Sequence, residues 1–563
     1  MFAQLPERQM HRVRWVVTIG WLLLIASLFY DPWTVAFTKP DHPWSPFRLT
    51  GECVKVQGQC VVQEPYALGA TLFWGAIVPS GILILLVFGH ELWRRICPLS
   101  FLSQIPRALG WQRQFKREHP KTGKVRYELA KVKSDSWLGR NYPYVQFGYL
   151  FVGLCGRILF FNADRVVLAL WILSAIAGAI AVGYFYGGKS WCQYFCPMAP
   201  VQTIFSEPRG LLGSKAHMSD QPITQSMCRT VEPDGSEKSA CVACQSPCFD
   251  IDSERTYWNE LNKPEESLIR YGYVGLVIGY FVYYYLYAGN WDYYFTGAWT
   301  HEGDQVAKVF DIGFYLYDRA IPIPKAAAVF LTFGILIAIT LAWGLILEKL
   351  CRIYPWRGRP ISAEQAQHIA FTVFTAVSFW TFFSYGARPS LNRLPSILVL
   401  GFNSLIVLVG SIWLYRTLRR THDQYNREQM AMSLRKQLQR LELDPMLLEG
   451  RSIHELTPNE IYTLVKVLQG FSQQLRLNTY TGVVLDLLEQ QTTSAANSFE
   501  YCKKLRQDLQ LKDADHFAAM ESIAATRPEA LKSARPQRSL AHIHDAVTLA
   551  RTIAKPSRKS TFR

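Results

Sequence analysis

Charge is scarce in this sequence. Only 18% of its 563 residues are Asp, Glu, Lys or Arg, against 49% hydrophobic. The segment VFLTFGILIAITLAWGLIL, residues 329–347, carries none at all. Soluble proteins rarely contain even one such run, so a purely soluble fold is set aside. Recognisable catalytic patterns are missing as well. No GxGxxG follows a strand, which removes a visible dinucleotide or flavin domain. No Ser/His/Asp arrangement and no carboxylate pair at hydrolytic spacing stand out, so no catalytic residue is assigned. No nucleic-acid motif accompanies the basic residues, and nucleic acid is not expected as a partner.

What is present comes in blocks. A helix of about 20 apolar residues crosses a ~30 Å hydrocarbon core. Eight runs meet that length: 14–31, 67–90, 143–161, 165–186, 267–288, 323–348, 366–386 and 395–417. The first is too long, and lacks a small-residue cleavage site, for a cleaved signal peptide. The stretch 91–142 is strongly basic, with Arg94, Arg95, Lys116, Arg117, Lys131 and Lys133 among its cations. Lys349–Arg359 and Arg416–Arg420 are basic too, whereas the opposite loops hold few cations. The positive-inside rule then places both termini in the cytoplasm, and all eight spans agree. The net charge of +16 is mostly this topology signal.

Topology sorts the cysteines. Of twelve in the chain, Cys192, Cys196, Cys228, Cys241, Cys244 and Cys248 fall between spans four and five, on the cytoplasmic side where thiols stay reduced. Clustered thiolates suit soft metals and iron–sulfur clusters. Cys241-x2-Cys244-x3-Cys248 offers three ligands for a [4Fe–4S] cluster, and Cys228 a fourth. Cys192 and Cys196, followed by Pro197, face together at the membrane edge. Six thiols exceed one cluster and fall short of two. Cys97 and Cys351, both at cytoplasmic span ends, are candidates for the missing ligands. Structural zinc is the competing occupant. Cys155 reads as a small core residue. Cys53 and Cys60, in GECVKVQGQC on the outer side, read as a disulfide. His90 and His368 end spans at one depth, but interfacial hydrogen bonding suits them better than haem, which is not expected.

The expected fold is an all-α polytopic membrane protein. Residues 1–66 form the first span with the Cys53/Cys60 loop. Residues 67–420 form the membrane domain with a cytoplasmic iron–sulfur insert at 189–266. A soluble helical module follows at 421–527 and a basic, flexible tail at 528–563. ELWRRICPLSFLSQIPRALG (91–110) faintly echoes KSWCQYFCPMAPVQTIFSEPRG (189–210), with Trp93 standing where the second copy has Cys192. The tail begins as an extension of span eight, with Met430, Leu434, Leu438 and Leu441 at helical spacing. Thr457-Pro458-Asn459-Glu460 opens the next helix as a capping box. The loop 289–322 is rich in aromatics, as an interfacial belt would be.

The segment 189–210 resembles the membrane polyferredoxin proteins of bacterial respiratory systems. That group includes the nitrous-oxide-reductase regulator type, the quinol-dehydrogenase membrane subunit of periplasmic nitrate reductase, and the copper-reducing accessory protein of cytochrome oxidase. The resemblance rests on Cys192, Cys196 and Pro197 after a span, and more loosely on Cys241, Cys244 and Cys248. It covers about residues 67–290. It implies a bacterial plasma-membrane protein holding one or two [4Fe–4S] clusters and passing electrons between a quinone or soluble donor and a redox partner. Two other readings stay open. One is a redox sensor that signals through the helical tail; the other is a zinc-stabilised scaffold.

Overall fold

The computed structural model describes residues 5–39, 53–61, 65–118, 125–213, 215–218, 229–231, 234, 236–239, 248–249, 252–300, 302–354, 361–391, 394–441, 448, 450–468, 471–490 and 495–533. The chain divides into two compact units. One is residues 1–214 with 223–419; the other is 215–222 with 420–563.

Among the described residues the first unit is built on eight long helices. They are α1 (Glu7–Phe29), α2 (Val78–Ile96), α3 (Trp137–Gly156), α4 (Arg165–Phe185), α5 (Pro264–Ala288), α6 (Lys325–Ile353), α7 (Ala363–Gly386) and α8 (Ser396–Leu418). Seven stretches, those carrying every one of these helices except α5, are long and apolar enough to cross a membrane. The run expected at 267–288 forms α5 but does not meet that criterion. It contains seven tyrosines, with Glu265, Glu266 and Arg270 in its first two turns. Its position explains the composition. Most of its residues are buried, and it packs against α3, α6 and α7. A helix covered by other helices needs no apolar stripe of its own facing lipid.

Small residues allow that close fit. A Cβ on Gly275 would sit 2.6 Å from the α6 backbone at Leu336 and Ile337, and one on Gly279 2.8 Å from the Phe333 ring. On the other side of the contact, Gly344 lies against the Tyr271 ring, whose hydroxyl donates to Glu348 at 2.6 Å. Glycines at such spacing let helices approach backbone to backbone.

At the end of α5 away from Cys192 lies a two-stranded hairpin, β1 (Val54–Val56) and β2 (Gln59–Val61). Gln57 and Gly58 both take positive φ, 50° and 78°, as a two-residue hairpin turn of type I′ requires. The sulfurs of Cys53 and Cys60 are bonded across it. Gln57 N–H donates to Ala288 O at 3.1 Å and the Asn290 amide to Lys55 O at 2.9 Å, which fix the hairpin to the end of α5. The aromatic loop beside it differs from a belt. Tyr293, Tyr294 and Trp299 are buried, with Tyr294 and Trp299 stacked at 5.8 Å; Phe310 and Tyr317 are exposed. The rings turn inward because Tyr293 and Tyr287 both donate to the buried Glu302.

The second unit is helical: α9 (His422–Leu438), α10 (Pro458–Val467), α11 (Gln473–Gln490), α12 (Ala495–Asp508) and α13 (Asp513–Thr526). The expected continuation of span eight stops short. α8 ends at Leu418, and Thr421, in extended conformation, starts α9 with a capping box to Gln424. A Thr side chain that bonds the N3 amide sets a new helix start. Met430, Leu434 and Leu438 are buried in this unit's own core with Ile461, Val465, Val483 and Leu505. Thr457 caps α10 as the sequence anticipates, and Glu460 accepts from the Thr457 N–H at 2.7 Å. A Thr457→Ala substitution is therefore expected to destabilise α10 by about 1 kcal/mol, read as roughly fivefold faster hydrogen exchange across Pro458–Val467. Unchanged exchange would contradict the capping role. Within the tail expected to be flexible, Pro528–Ser533 is helical; the rest of that tail lies outside the described residues.

Candidate iron–sulfur site

Two Cys-Pro turns build the site. The first closes α2, where Cys97 N–H donates to Trp93 O at 2.9 Å and Pro98 opens the short helix Pro98–Leu102. The second follows α4, where Cys196 N–H donates to Trp191 O, also at 2.9 Å, ahead of the short helix Ala199–Ser206. Cys97 has φ −60°, ψ 117° and Cys196 φ −61°, ψ 122°. The echo in sequence is thus an echo in backbone. Its register differs from a direct alignment on Cys-Pro, however. Trp93 corresponds in bonding to Trp191 rather than to Cys192, because Trp191–Phe195 forms a wider, π-type turn with one extra residue. That extra residue makes room for Cys192.

A kink in α2 ties the two turns together. Gly89, at φ 73°, breaks the helical ladder. The carbonyls of Leu86 and Val87 accept instead from Leu211 N–H at 2.9 Å and Leu212 N–H at 2.6 Å. A Cβ on Gly210 would sit 2.4 Å from the Gly89 nitrogen, so only glycine fits there. The chain leaving the second Cys-Pro turn is thereby pinned beside the first.

Cys192 and Cys196 are buried together with Trp191, Ala179 and Ala199, and Leu99 of the first turn packs on them. Cys97 lies within electrostatic reach of both. Burial drives the Cys196 thiol well above its ordinary range, and the neighbouring Cys192 and Cys97 push the same way; the Met198 N–H and Arg94 pull it back. Thiols so placed lose their protons when they bind a metal cation, which supplies the positive charge that the interior lacks. Arg94 is buried, donating to Gln202 Oε1 at 3.2 Å and to Cys192 O at 3.5 Å.

Of the distal group, Cys248 is half-buried, and its neighbour Phe249 is seated on the end of α2. The Phe249 ring lies 3.8 Å from that of His90 and 5.7 Å from the Arg94 guanidinium. Cys228, Cys241 and Cys244 lie outside the described residues. Cys351 sits in the last turn of α6, with Glu348 as its charged neighbour. Cys155 is in the core of α3. His368 is fully engaged: Tyr257 OH meets Nδ1 at 2.7 Å and Nε2 meets Thr417 O at 2.9 Å. Among the described residues no three His, Cys, Asp or Glu side chains converge as a metal site.

The surroundings nevertheless fit a cluster. Among the described residues, Gln193, 4% exposed, has neither end of its amide hydrogen-bonded, and the indole N–H groups of Trp93 and Trp191 are buried without acceptors. Buried N–H donors beside cysteine sulfur are what an iron–sulfur centre uses to set its potential. The tryptophans and Gln193 carry no ligand signature, so cysteine spacing alone does not reveal them. Glu207 was missed in the same way. It pairs with Arg270, which also bonds Glu266 at 2.9 Å, and the two glutamates, with Cys192 and Phe249, line a cavity of about 60 Å³. A second cavity, about 600 Å³ and almost wholly apolar, opens among the helices. Trp74, Trp93, Cys97, Cys196, Arg157 and Tyr280 are among its walls.

The paired Cys-Pro turns and their buried thiols are compatible with an iron–sulfur site. Residues 168–215 match the 4Fe-4S binding domain family, a stretch that runs from α4 through Cys192 and Cys196. No curated protein and no solved structure matches the chain.

Proposed function

We propose that this protein is a membrane-bound electron carrier. Its clusters would be held at the cytoplasmic face of a bacterial plasma membrane, with electrons exchanged between a quinone or soluble donor and a redox partner. The family match across Cys192 and Cys196 carries this reading. Cys192, Cys196, Cys228, Cys241, Cys244 and Cys248 are the proposed ligands, and its place in the first Cys-Pro turn supports Cys97 ahead of Cys351 as a further one. When bound, a [4Fe–4S] cluster supplies a one-electron couple. The protein contributes thiolates, buried N–H donors and a dry setting. The apolar 600 Å³ cavity, which reaches both Cys97 and Cys196, suits a quinone. The basic cytoplasmic stretch and the eight long helices, α5 included, support eight spans with both termini inside.

Anaerobic purification with iron and acid-labile sulfide quantified tests the reading. About four irons per chain are expected for one cluster and about eight for two. Zinc without iron would replace it with the scaffold.

One observation favours a sensor instead. Residues 215–218, between Cys196 and Cys228, belong to the tail unit. There His217 meets Glu428 at 2.7 Å and lies 4.7 Å from the Tyr425 ring. A short piece of the chain between Cys196 and Cys228 thus belongs to the helical module. Removal of 421–563 separates the readings: a carrier keeps its electron transfer, whereas a sensor keeps its cluster spectrum and loses its output.

A further inference from the structure

A line of buried polar side chains leaves the large cavity in the direction away from the cysteines. It starts at its wall with Arg157 and Tyr280. The Arg157 guanidinium lies 4.3 Å from the Tyr280 ring and 3.9 Å from that of Trp74, and its Nε donates to Asn162 Oδ1 at 3.3 Å. The Asn162 amide donates to the hydroxyls of Tyr280, at 3.4 Å, and Tyr284, and those two hydroxyls lie 2.9 Å apart. Beyond them is a cavity of about 10 Å³, close to the least that holds one water, walled by Asn162, Tyr284, Tyr287, Tyr293, Gln305 and Lys325. On its far side Tyr287 and Tyr293 both donate to the Glu302 carboxylate, the former at 2.9 Å. Lys308 Nζ bonds Glu302 at 3.1 Å, and its side chain, about a third exposed, reaches solvent.

Such a run is costly in a bundle whose helices are otherwise apolar, and polar groups within membrane helices mark substrate or proton routes. Packing alone would be served by phenylalanine at 280, 284 and 287. Every member instead offers a hydroxyl, amide or ionic group within one bond or one water of the next.

We propose that this line is a proton relay between the 600 Å³ cavity and the protein face opposite Cys192 and Cys196, serving a lipophilic hydroquinone held in the cavity. The proposal rests on the electron-carrier reading. Oxidation of one hydroquinone to quinone breaks two O–H bonds. It yields two protons, which enter the relay at Tyr280 and pass to Tyr284, and two electrons, which pass singly to oxidised iron–sulfur clusters. Burial pushes the Glu302 carboxyl up, but Lys325, Tyr293 and Lys308 more than offset it and hold the group below its usual range. It is thus a standing carboxylate at the mouth of the path.

The full chain with its clusters, reconstituted into liposomes, is mixed with a short-chain ubiquinol. Cluster bleaching reports electrons, and pH dyes on each side of the membrane report protons. Wild-type protein is expected to release protons on the Glu302 side as the clusters are reduced. Tyr284→Phe and Glu302→Gln, which change shape little, are each expected to slow ubiquinol-driven reduction and proton release at least tenfold. Reduction by dithionite and the cluster spectrum should stay unchanged, which reports that the variants fold. Proton release on the cysteine side, or wild-type rates in both variants, would overturn the relay and leave the carrier reading intact. Clusters that dithionite reduces but ubiquinol does not would also overturn the relay alone. A protein without iron would overturn both.

Discussion

A Cys196→Ser protein should be purified without the cluster that Cys196 holds, leaving less than about a tenth of the wild-type iron if the chain carries one cluster and about half if it carries two. Cys196 is buried at the start of the second Cys-Pro turn, beside Cys192 and within reach of Cys97. Serine keeps the size but offers a hydroxyl that does not ionise as a soft ligand. Losing one of four ligands exposes a cluster to solvent and oxidant, so loss of the whole centre is expected rather than one iron. The companion variants locate the effect. Cys97→Ser is expected to lose iron as well, since its turn copies that of Cys196. Cys155→Ser, in the core of α3, should retain the full complement. Iron and sulfide analysis of anaerobic preparations reads all three. Full iron in the Cys97→Ser protein would remove that residue from the ligand set, and full iron in Cys196→Ser would undo the site.

The second large effect is on stability. Arg270 is almost wholly buried between Glu207 and Glu266, with its guanidinium 5.0 Å from the Tyr257 ring and 5.1 Å from that of Phe371. Burial pushes the Glu207 carboxyl well up, and Arg270 pulls it only part of the way back. An Arg270→Met substitution removes the cation and leaves two carboxyls together in the interior. Breaking one partner out of a buried ion pair costs about 3–5 kcal/mol. The variant should therefore aggregate on heating at a temperature well below wild type, as followed by size-exclusion of the surviving fraction in detergent. Adding Glu207→Gln should recover part of the loss, because it removes the charge left unpaired. A wild-type profile for Arg270→Met would mean that the network contributes nothing to stability.

Much of the architecture was legible in the sequence because it depends on local composition. Uncharged runs such as 329–347 specify long helices whatever their neighbours, and the Thr457–Glu460 capping box is a contact between residues three apart. The Cys-Pro echo was visible for the same reason. What escaped reading depends on contacts across the chain. The register of the echo turns on one extra residue in the Trp191–Phe195 turn, which only the hydrogen bonds to Cys97 and Cys196 expose. The aromatic loop looked like a belt because its composition is the same whether the rings face lipid or Glu302. The end of α8 looked continuous with the tail because a threonine cap carries no hydrophobic signal. At the site, spacing singled out the paired cysteines as candidates, while Gln193, Arg94 and Phe249 required their burial to be known.

The composition of α5 bears on how the protein is made. On the proposed topology this helix must enter the bilayer with seven tyrosines, two glutamates in its first turn and Arg270 among its residues. Insertion into lipid one helix at a time favours segments that are apolar by themselves, and α5 is not one. The helices that cover it, α6 and α7, are synthesised after it, and the glycines that let it nest into α6 have no use until α6 arrives. Its entry is thus a deferred event: α5 waits at the translocon or the membrane surface until α6 has emerged, and the two go in as a hairpin. A chain stalled during synthesis before residue 325 should leave α5 accessible to the aqueous phase, whereas one stalled after 386 should not.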